Sequence, residues 1–261
     1  FNTAWNELKS KGYLFIHVYP GEKGRFVYQY ELRPDNSGWD GAYLFYHDRN
    51  GDVKSTNLTR NQTETAEQPA EKAAADYGVP GAKVYTDYHE LRKDGSIDVI
   101  HVCTPNRSHC EISVAALEAG KHVMCEKPMA KTAADAKKML DAAKKSGKKL
   151  TIGYQNRFRP ECQLMKKAVD RGDLGEVYFA KAHAIRRRAV PTWGVFLNEY
   201  EQGGGPLIDI GTHSLDLTLW MMNNYKPKAV LGQTFKKLGD QEETGNAWGD
   251  WDPKDFTVED Y

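Results

Sequence analysis

Three short β-favouring runs, each closing on a polar cluster and separated from the next by a helix-length segment, constrain this chain more than any other feature. Asp98 to Cys103 leads into Thr104-Pro105-Asn106, His122 to Cys125 into Glu126-Lys127-Pro128, and Lys149 to Gly153 into Tyr154-Gln155-Asn156-Arg157. Strands joined through helices run parallel, so their carboxyl ends share one edge of a sheet. Open α/β sheets bind ligands at that edge. The intervening helices carry their own punctuation. The first is predicted from about Ser108 and stops at Gly120. The second opens on Thr132-Ala-Ala-Asp135, a variant capping box, and stops at Gly147.

A length of 261 residues suits one large domain or two ordinary ones, with room for a proper core. The 36 basic and 36 acidic residues cancel, which argues against an electrostatic nucleic-acid binder. Arg186-Arg187-Arg188 is the one tight basic cluster and reads as a local anion contact or a solvated strand end. No apolar run is long enough to span a bilayer, so no membrane partner is expected. Cys103, Cys110, Cys125 and Cys162 lack paired zinc spacing, and two of them close predicted strands, where small buried hydrophobes fit. A reduced, cytoplasmic protein with no metal site follows as the expectation.

Residues 1–62 differ in style from the rest. Tyr13 to Tyr19, Phe26 to Tyr30 and Ala42 to Tyr46 are aromatic-rich and β-favouring, and Asn50-Gly51 suits a tight hairpin turn. This segment reads as a small antiparallel meander, followed by an α/β unit over 63–159 and a second unit over 160–261. Glu71 to Tyr77 and Asp87 to Lys93 read as helices. In the second unit, Pro160 to Arg171 reads as a helix, Glu176 to Ile185 as a long strand, and the segment from Gly203 to about Asn224 as a helix opened by Pro206.

Asp209 and His213 stand four apart in that helix, on one face and one turn from each other. A carboxylate beside an imidazole can hold its tautomer and tune it for proton transfer near neutrality. The triplet Gly203-Gly204-Gly205 just before lets the backbone approach a ligand closely. Lys127, held extended by Pro128, is placed to hydrogen-bond a substrate hydroxyl or stabilise a developing alkoxide. Thr104 and Asn106 offer hydroxyl and amide groups to a ribose, a use compatible with capping the helix that follows.

Together these residues resemble the Gfo/Idh/MocA family of nicotinamide-dependent sugar oxidoreductases. The matching pieces are Cys-Thr-Pro-Asn-Arg-Ser-His at 103–109, Gly-Lys-His-Val-Met-Cys-Glu-Lys-Pro at 120–128, Gly-Tyr-Gln-Asn-Arg-Phe at 153–158, and Gly-Gly-Gly-Pro-Leu-Ile-Asp-Ile-Gly-Thr-His-Ser-Leu-Asp at 203–216. The resemblance covers roughly residues 68–261. It implies a Rossmann-like parallel-sheet domain and an α/β substrate domain with an open, mainly antiparallel sheet. It further implies NAD or NADP as cofactor, a sugar or polyol substrate, and a dimer or tetramer. Lys127, Asp209 and His213 would be catalytic. Thr104, Pro105, Asn106, His109, Glu126, Lys127, Pro128, Gln155, Asn156 and Arg157 would bind cofactor. Lys127, Arg157, Trp193, Asp209 and His213 would meet the substrate. The implied reaction is hydride transfer between a sugar, inositol or glycoside hydroxyl carbon and the nicotinamide. An NAD-dependent glycosidase and a non-catalytic sugar or nucleotide sensor of the same fold are the alternatives.

One expected piece does not occur. Residues 1–67 hold no Gly-x-Gly-x-x-Gly turn, the feature that places a helix N-terminus against a pyrophosphate. The strand preceding such a turn is central in the sheet, so its absence predicts exposed backbone groups along that flank.

Overall fold

The computed structural model describes the backbone of residues 18–20, 26–28, 42–48 and 53–58, residues 71 and 74, and every residue from 82 to 261 except 188 and 243. Val18–Pro20 (β1) and Phe26–Tyr28 (β2) pair antiparallel as a separate two-stranded sheet. Ala42–Asp48 (β3) and Val53–Leu58 (β4) form an antiparallel pair with His47 opposite Val53. The Asn50-Gly51 turn, most of the Tyr13 to Tyr19 run, and the Glu71 to Tyr77 helix apart from Glu71 and Ala74 lie outside the described residues.

The main sheet has the order β4-β3-β5-β6-β7, where β5 is Ile97–Cys103, β6 is His122–Cys125 and β7 is Leu150–Ile152. The three polar-ended strands are parallel neighbours, as the helical connections require. The flank expected to be open is not open. β3 pairs with β5 from Tyr43 opposite Cys103 to Asp48 opposite Ile97, so the ladder there is satisfied. It runs antiparallel, with its carboxyl end at the sheet edge opposite the one carrying Thr104, Glu126 and Gly153. It fills the place of a central strand without being the opening strand of a βαβ unit.

Tyr88–Leu91 (α1), His109–Glu118 (α2) and Ala133–Ser146 (α3) accompany the sheet. The capping chemistry is as written in the sequence. Thr132 accepts from the Asp135 N–H at 3.1 Å, and Gly147 ends α3 in the left-handed region. Ile112, Ala116 and Leu117 of α2 and Met139 and Ala142 of α3 pack with Leu91 and with Ile97, Ile100, Val102, Val123 and Cys125 of the strands. This is one core between a helical layer and the sheet, and burying each such side chain is worth about 1.5–3 kcal/mol. Of the two strand-closing cysteines, Cys125 is buried in this core as expected, whereas Cys103 is exposed at the ligand edge.

Asp94, in the turn before β5, gathers Lys83 Nζ at 2.8 Å, Tyr85 Oη at 2.5 Å, and the Ser96 N–H and Oγ at 2.8 and 2.6 Å. These donors hold its carboxyl well below the usual carboxylate range. A depressed folded-state pKa contributes stability above the unfolded value of about 3.9, lost as pH falls below it. Asp94→Asn is therefore expected to lower the melting temperature at pH 7, with the gap to wild type closing as melts are taken from about pH 4 toward pH 2. A constant gap would contradict this account of the turn.

Beyond the sheet, Pro160–Asp170 (α4), Glu199–Gln202 (α5) and Thr212–Met222 (α6) are the α-helices of the described residues, and Leu207–Gly211 is a π-helical turn running into α6. The strand expected over 176–185 is not formed: the segment has no regular structure and no ladder partner among the described residues. No strand lies within the described residues of 160–261, so the open antiparallel sheet is not realised there. Without a neighbour to pair its N–H and C=O groups, an alternating segment stays solvated, and Tyr178, Phe179 and Ile185 are exposed. The region is instead organised by its last residues. Phe256 and Val258 are buried, the Thr257 N–H donates to Leu197 O at 2.8 Å, and the Asp260 carboxylate accepts from the backbone N–H groups of Lys237, Leu238 and Gly239. No helix of the described residues is long and apolar enough to cross a membrane.

Candidate active site

The parallel register brings Thr104, Glu126 and Gly153 to one sheet edge: Glu126 N–H donates to Val102 O at 2.9 Å, and Gly153 N–H to Cys125 O at 2.8 Å. Glu126 lies against Gly153, where an added Cβ would stand 3.2–3.3 Å from its carboxylate. Burial pushes this carboxyl up from its usual range, and Lys127 only partly offsets it. The Lys127–Pro128 peptide is cis.

Across this edge stands the π turn. Lys127 Nζ donates to Asp209 Oδ1 at 2.7 Å and to the Asp209 carbonyl at 2.9 Å. Two residues 82 positions apart in sequence thus meet as a partly buried ion pair. π turns recur at functional sites because they re-aim side chains within a helix. Two of the three ammonium protons of Lys127 are engaged, which leaves one for a ligand oxygen.

Asp209 turns one carboxylate oxygen to Lys127 and does not bond the Nδ1 of His213, the partner that the four-residue spacing suggested. His213 instead meets the Tyr154 ring edge-on, with centroids 6.4 Å apart, and its Nδ1 is buried with no hydrogen-bond partner among the described residues. Burial and the neighbouring Lys127 charge lower its titration, while Asp209 and Asp216 oppose them. The net direction keeps the imidazole neutral at pH 7, with a free ring nitrogen. Gln155 Oε1 is a second buried atom without a partner at the same sheet edge. A buried polar atom without a partner costs about 1–3 kcal/mol, and a hydrogen-bonding ligand relieves that cost.

Several residues assigned by resemblance to cofactor or substrate also make contacts within the protein. His109 has no exposed surface, and its Nδ1 and Nε2 lie 2.8 Å from Pro128 O and Thr104 O, tying two of the strand-end loops together. Asn106, also buried, spends Nδ2 on Gln202 O at 3.0 Å. That bond, with Arg107 on Glu201 at 3.0 Å, docks α5 onto the sheet edge. Arg157 makes a two-pronged pair with Asp216, Nε to Oδ2 at 2.8 Å and a second bond from its terminal nitrogen. Asn156 lies in the 3₁₀ turn Gln155–Phe158, where its carbonyl accepts from the Arg159 N–H at 3.3 Å. Thr104 is buried and accepts from Ser108 Oγ at 2.7 Å. Trp193 packs edge-on against Phe196 and Trp248, and its indole nitrogen is buried without a partner among the described residues. Asp216, Tyr154 and Gln202 had no role in the sequence reading. The signal available for Asp216 was its position three residues after His213, on the same helical face.

The glycine triplet serves the chain's own fold. A Cβ on Gly205 would lie 2.0 Å from the Glu259 carbonyl oxygen, and one on Gly204 3.4 Å from the Glu259 carboxylate. The C-terminal segment makes the close approach at Gly205. Gly205→Ala must push that backbone away and is expected to cost about 1–3 kcal/mol, read as a lowered urea midpoint. An unchanged midpoint would show that Glu259 does not lie there.

The model of the Gfo/Idh/MocA oxidoreductase family, NAD-binding Rossmann fold, matches residues 42–154, and that of the family's C-terminal domain matches residues 162–261. D-glucoside 3-dehydrogenase of Escherichia coli (strain K12) is 41% identical over 221 residues, covering 85% of this chain and 61% of that protein. Inositol 2-dehydrogenase of Salmonella paratyphi B is 34% identical over 161 residues, covering 61% of this chain and 46% of that protein. The crystal structure of aldose-aldose oxidoreductase from Caulobacter crescentus complexed with glycerol superposes with a TM-score of 0.58 at 32% identity, covering 74% of this chain and 54% of that one. The chain thus spans between 46% and 61% of the length of these two curated relatives. Matched across both its sheet domain and its C-terminal region, this chain belongs to the Gfo/Idh/MocA oxidoreductase family.

Proposed function

We propose that the chain is an NAD(P)-dependent dehydrogenase acting on a hydroxyl carbon of a sugar, inositol or glycoside. The observation that carries the reading is the Lys127–Asp209 pair beside a neutral His213 whose Nδ1 has no partner. A substrate hydroxyl entering there finds a base in His213 and a donor in the third proton of Lys127. His213 takes the hydroxyl proton, and the Lys127 ammonium stabilises the negative charge that develops on oxygen. Asp209 holds Lys127 in place through the 2.7 Å ion pair. Because burial lowers the His213 titration, the acidic limb of activity should fall below the ordinary histidine value of about 6.5.

The residues at the nicotinamide end fit a cofactor. Gln155 Oε1 is an unpartnered buried acceptor suited to an amide N–H, and Thr104, Pro105 and Glu126 line the same edge. When bound, a nicotinamide supplies the hydride acceptor, and the protein supplies orientation and proton transfer. No glycine-rich strand-to-helix turn occurs among the described residues for the pyrophosphate end, because the strand beside β5 is antiparallel β3. The names of the relatives support a sugar or polyol substrate. A homo-oligomer in the cytoplasm completes the reading.

The test is absorbance at the reduced-nicotinamide band with a panel of D-glucosides, aldoses and inositols and each cofactor. Net reduction supports a dehydrogenase. Aglycone release without net reduction would replace it with a glycosidase, and sugar binding without either would replace it with a sensor.

A further inference from the structure

One built feature takes no part in the proton transfer. Arg157 and Asp216 make a two-pronged ion pair in which the Asp216 side chain is only 7% exposed. Arg157 belongs to the 3₁₀ turn after β7, and Asp216 belongs to α6. The pair is not isolated. The guanidinium lies 5.8 Å from the Tyr154 ring centre and 5.5 Å from that of Trp220, so it is held by aromatic rings of both elements. Tyr154 Oη is 3.3 Å from Thr212 Oγ1, and its ring meets His213 edge-on. Thr212, His213, Asp216 and Trp220 lie at spacings that share a helical face, and each of them touches Tyr154 or Arg157.

We propose that Arg157 and Asp216 are positioning residues that lock α6 against the sheet edge and so fix the His213 ring over the substrate site. A two-pronged guanidinium–carboxylate pair sets orientation as well as distance, which one point charge cannot do. α6 carries His213 one turn before Asp216, so releasing the fork frees the helix to rotate or slide under the ring. The opposing anchor of the site, Lys127 on Asp209, sits in the π turn and would not by itself stop that movement. The role given to Arg157 is thereby different from direct contact with cofactor or substrate. The proposal rests on reading His213 as the proton-transfer group.

The deciding variant is Arg157→Lys, which keeps both charges and loses the fork, with Asp216→Asn as its counterpart. The readout is the imidazole resonance of His213 in histidine-labelled protein, assigned with His213→Gln, alongside turnover. The expected result is a displaced His213 resonance in both variants while histidines remote from α6 stay in place, with kcat reduced about 100-fold and KM little changed, the effect of an ångström-scale misplacement. An unmoved His213 resonance in folded Arg157→Lys and Asp216→Asn would overturn the proposal. A displaced resonance with undiminished turnover would uphold the lock and instead remove His213 from proton transfer, which separates the two readings.

Discussion

Replacing His213 with alanine is expected to lower kcat by about 100- to 10,000-fold, with a smaller change in the KM for substrate. Among the described residues, the ring is the one group at the site that is neutral, basic and unpartnered at once. Glu126 is also pushed up by burial, but it lies against Gly153 and accepts from the Lys127 N–H at 3.2 Å. Lys127 already donates to Asp209. Removal of His213 therefore leaves, among the described residues, no other group placed to accept the hydroxyl proton, and the loss should appear in the chemical step. Steady-state kinetics on the best substrate of the panel checks this. A variant within threefold of wild type would show that the proton leaves by another route.

The second large effect is on stability. Leu117→Ala is expected to cost about 2–5 kcal/mol. Leu117 has no exposed surface and stands in the cluster joining α2 and α3 to the sheet, where Ile97, Ile100, Val102, Ile112 and Met139 are also buried. Such a layer collapses only partly around a deleted side chain, and a domain's whole stability is about 5–15 kcal/mol. Leu207→Ala is the matched control, because Leu207 is 62% exposed and should change stability by less than about 0.5 kcal/mol. Urea melts of the two variants, followed by circular dichroism, would contradict the layered core if their midpoints shifted alike.

The parts of the fold legible in the sequence were those governed by local chemistry. Thr132 and Gly147 bounded α3 because a hydroxyl cap and a left-handed glycine need no tertiary partner to be recognised. β5 was legible because a strand buried at nearly every position reads as an apolar run. The strand over 176–185 failed for the opposite reason. Its alternation was real, but a strand exists only through a neighbour, and none of the described residues supplies one. Pairing of β3 with β5 was invisible for the same cause, since antiparallel register across some 50 intervening residues leaves no local mark. At the site, the strand ends converged as their topology demanded. The pairing of Asp209 with Lys127 and of Arg157 with Asp216 was decided by contacts spanning 82 and 59 residues. The glycine triplet carried a true signal of close approach, but residue type alone does not name the approaching group, which is Glu259.

The edge carrying Thr104, Glu126, Lys127 and Gln155 is expected to receive a nicotinamide cofactor although residues 1–67 hold no Gly-x-Gly-x-x-Gly turn. The measurement that meets this most directly is calorimetric titration of the folded 261-residue chain with NADH and NADPH. The account predicts saturable one-to-one binding of at least one of them, weakened when Gln155 is replaced by alanine. Absence of binding at millimolar cofactor, with circular dichroism showing an intact fold, would contradict it.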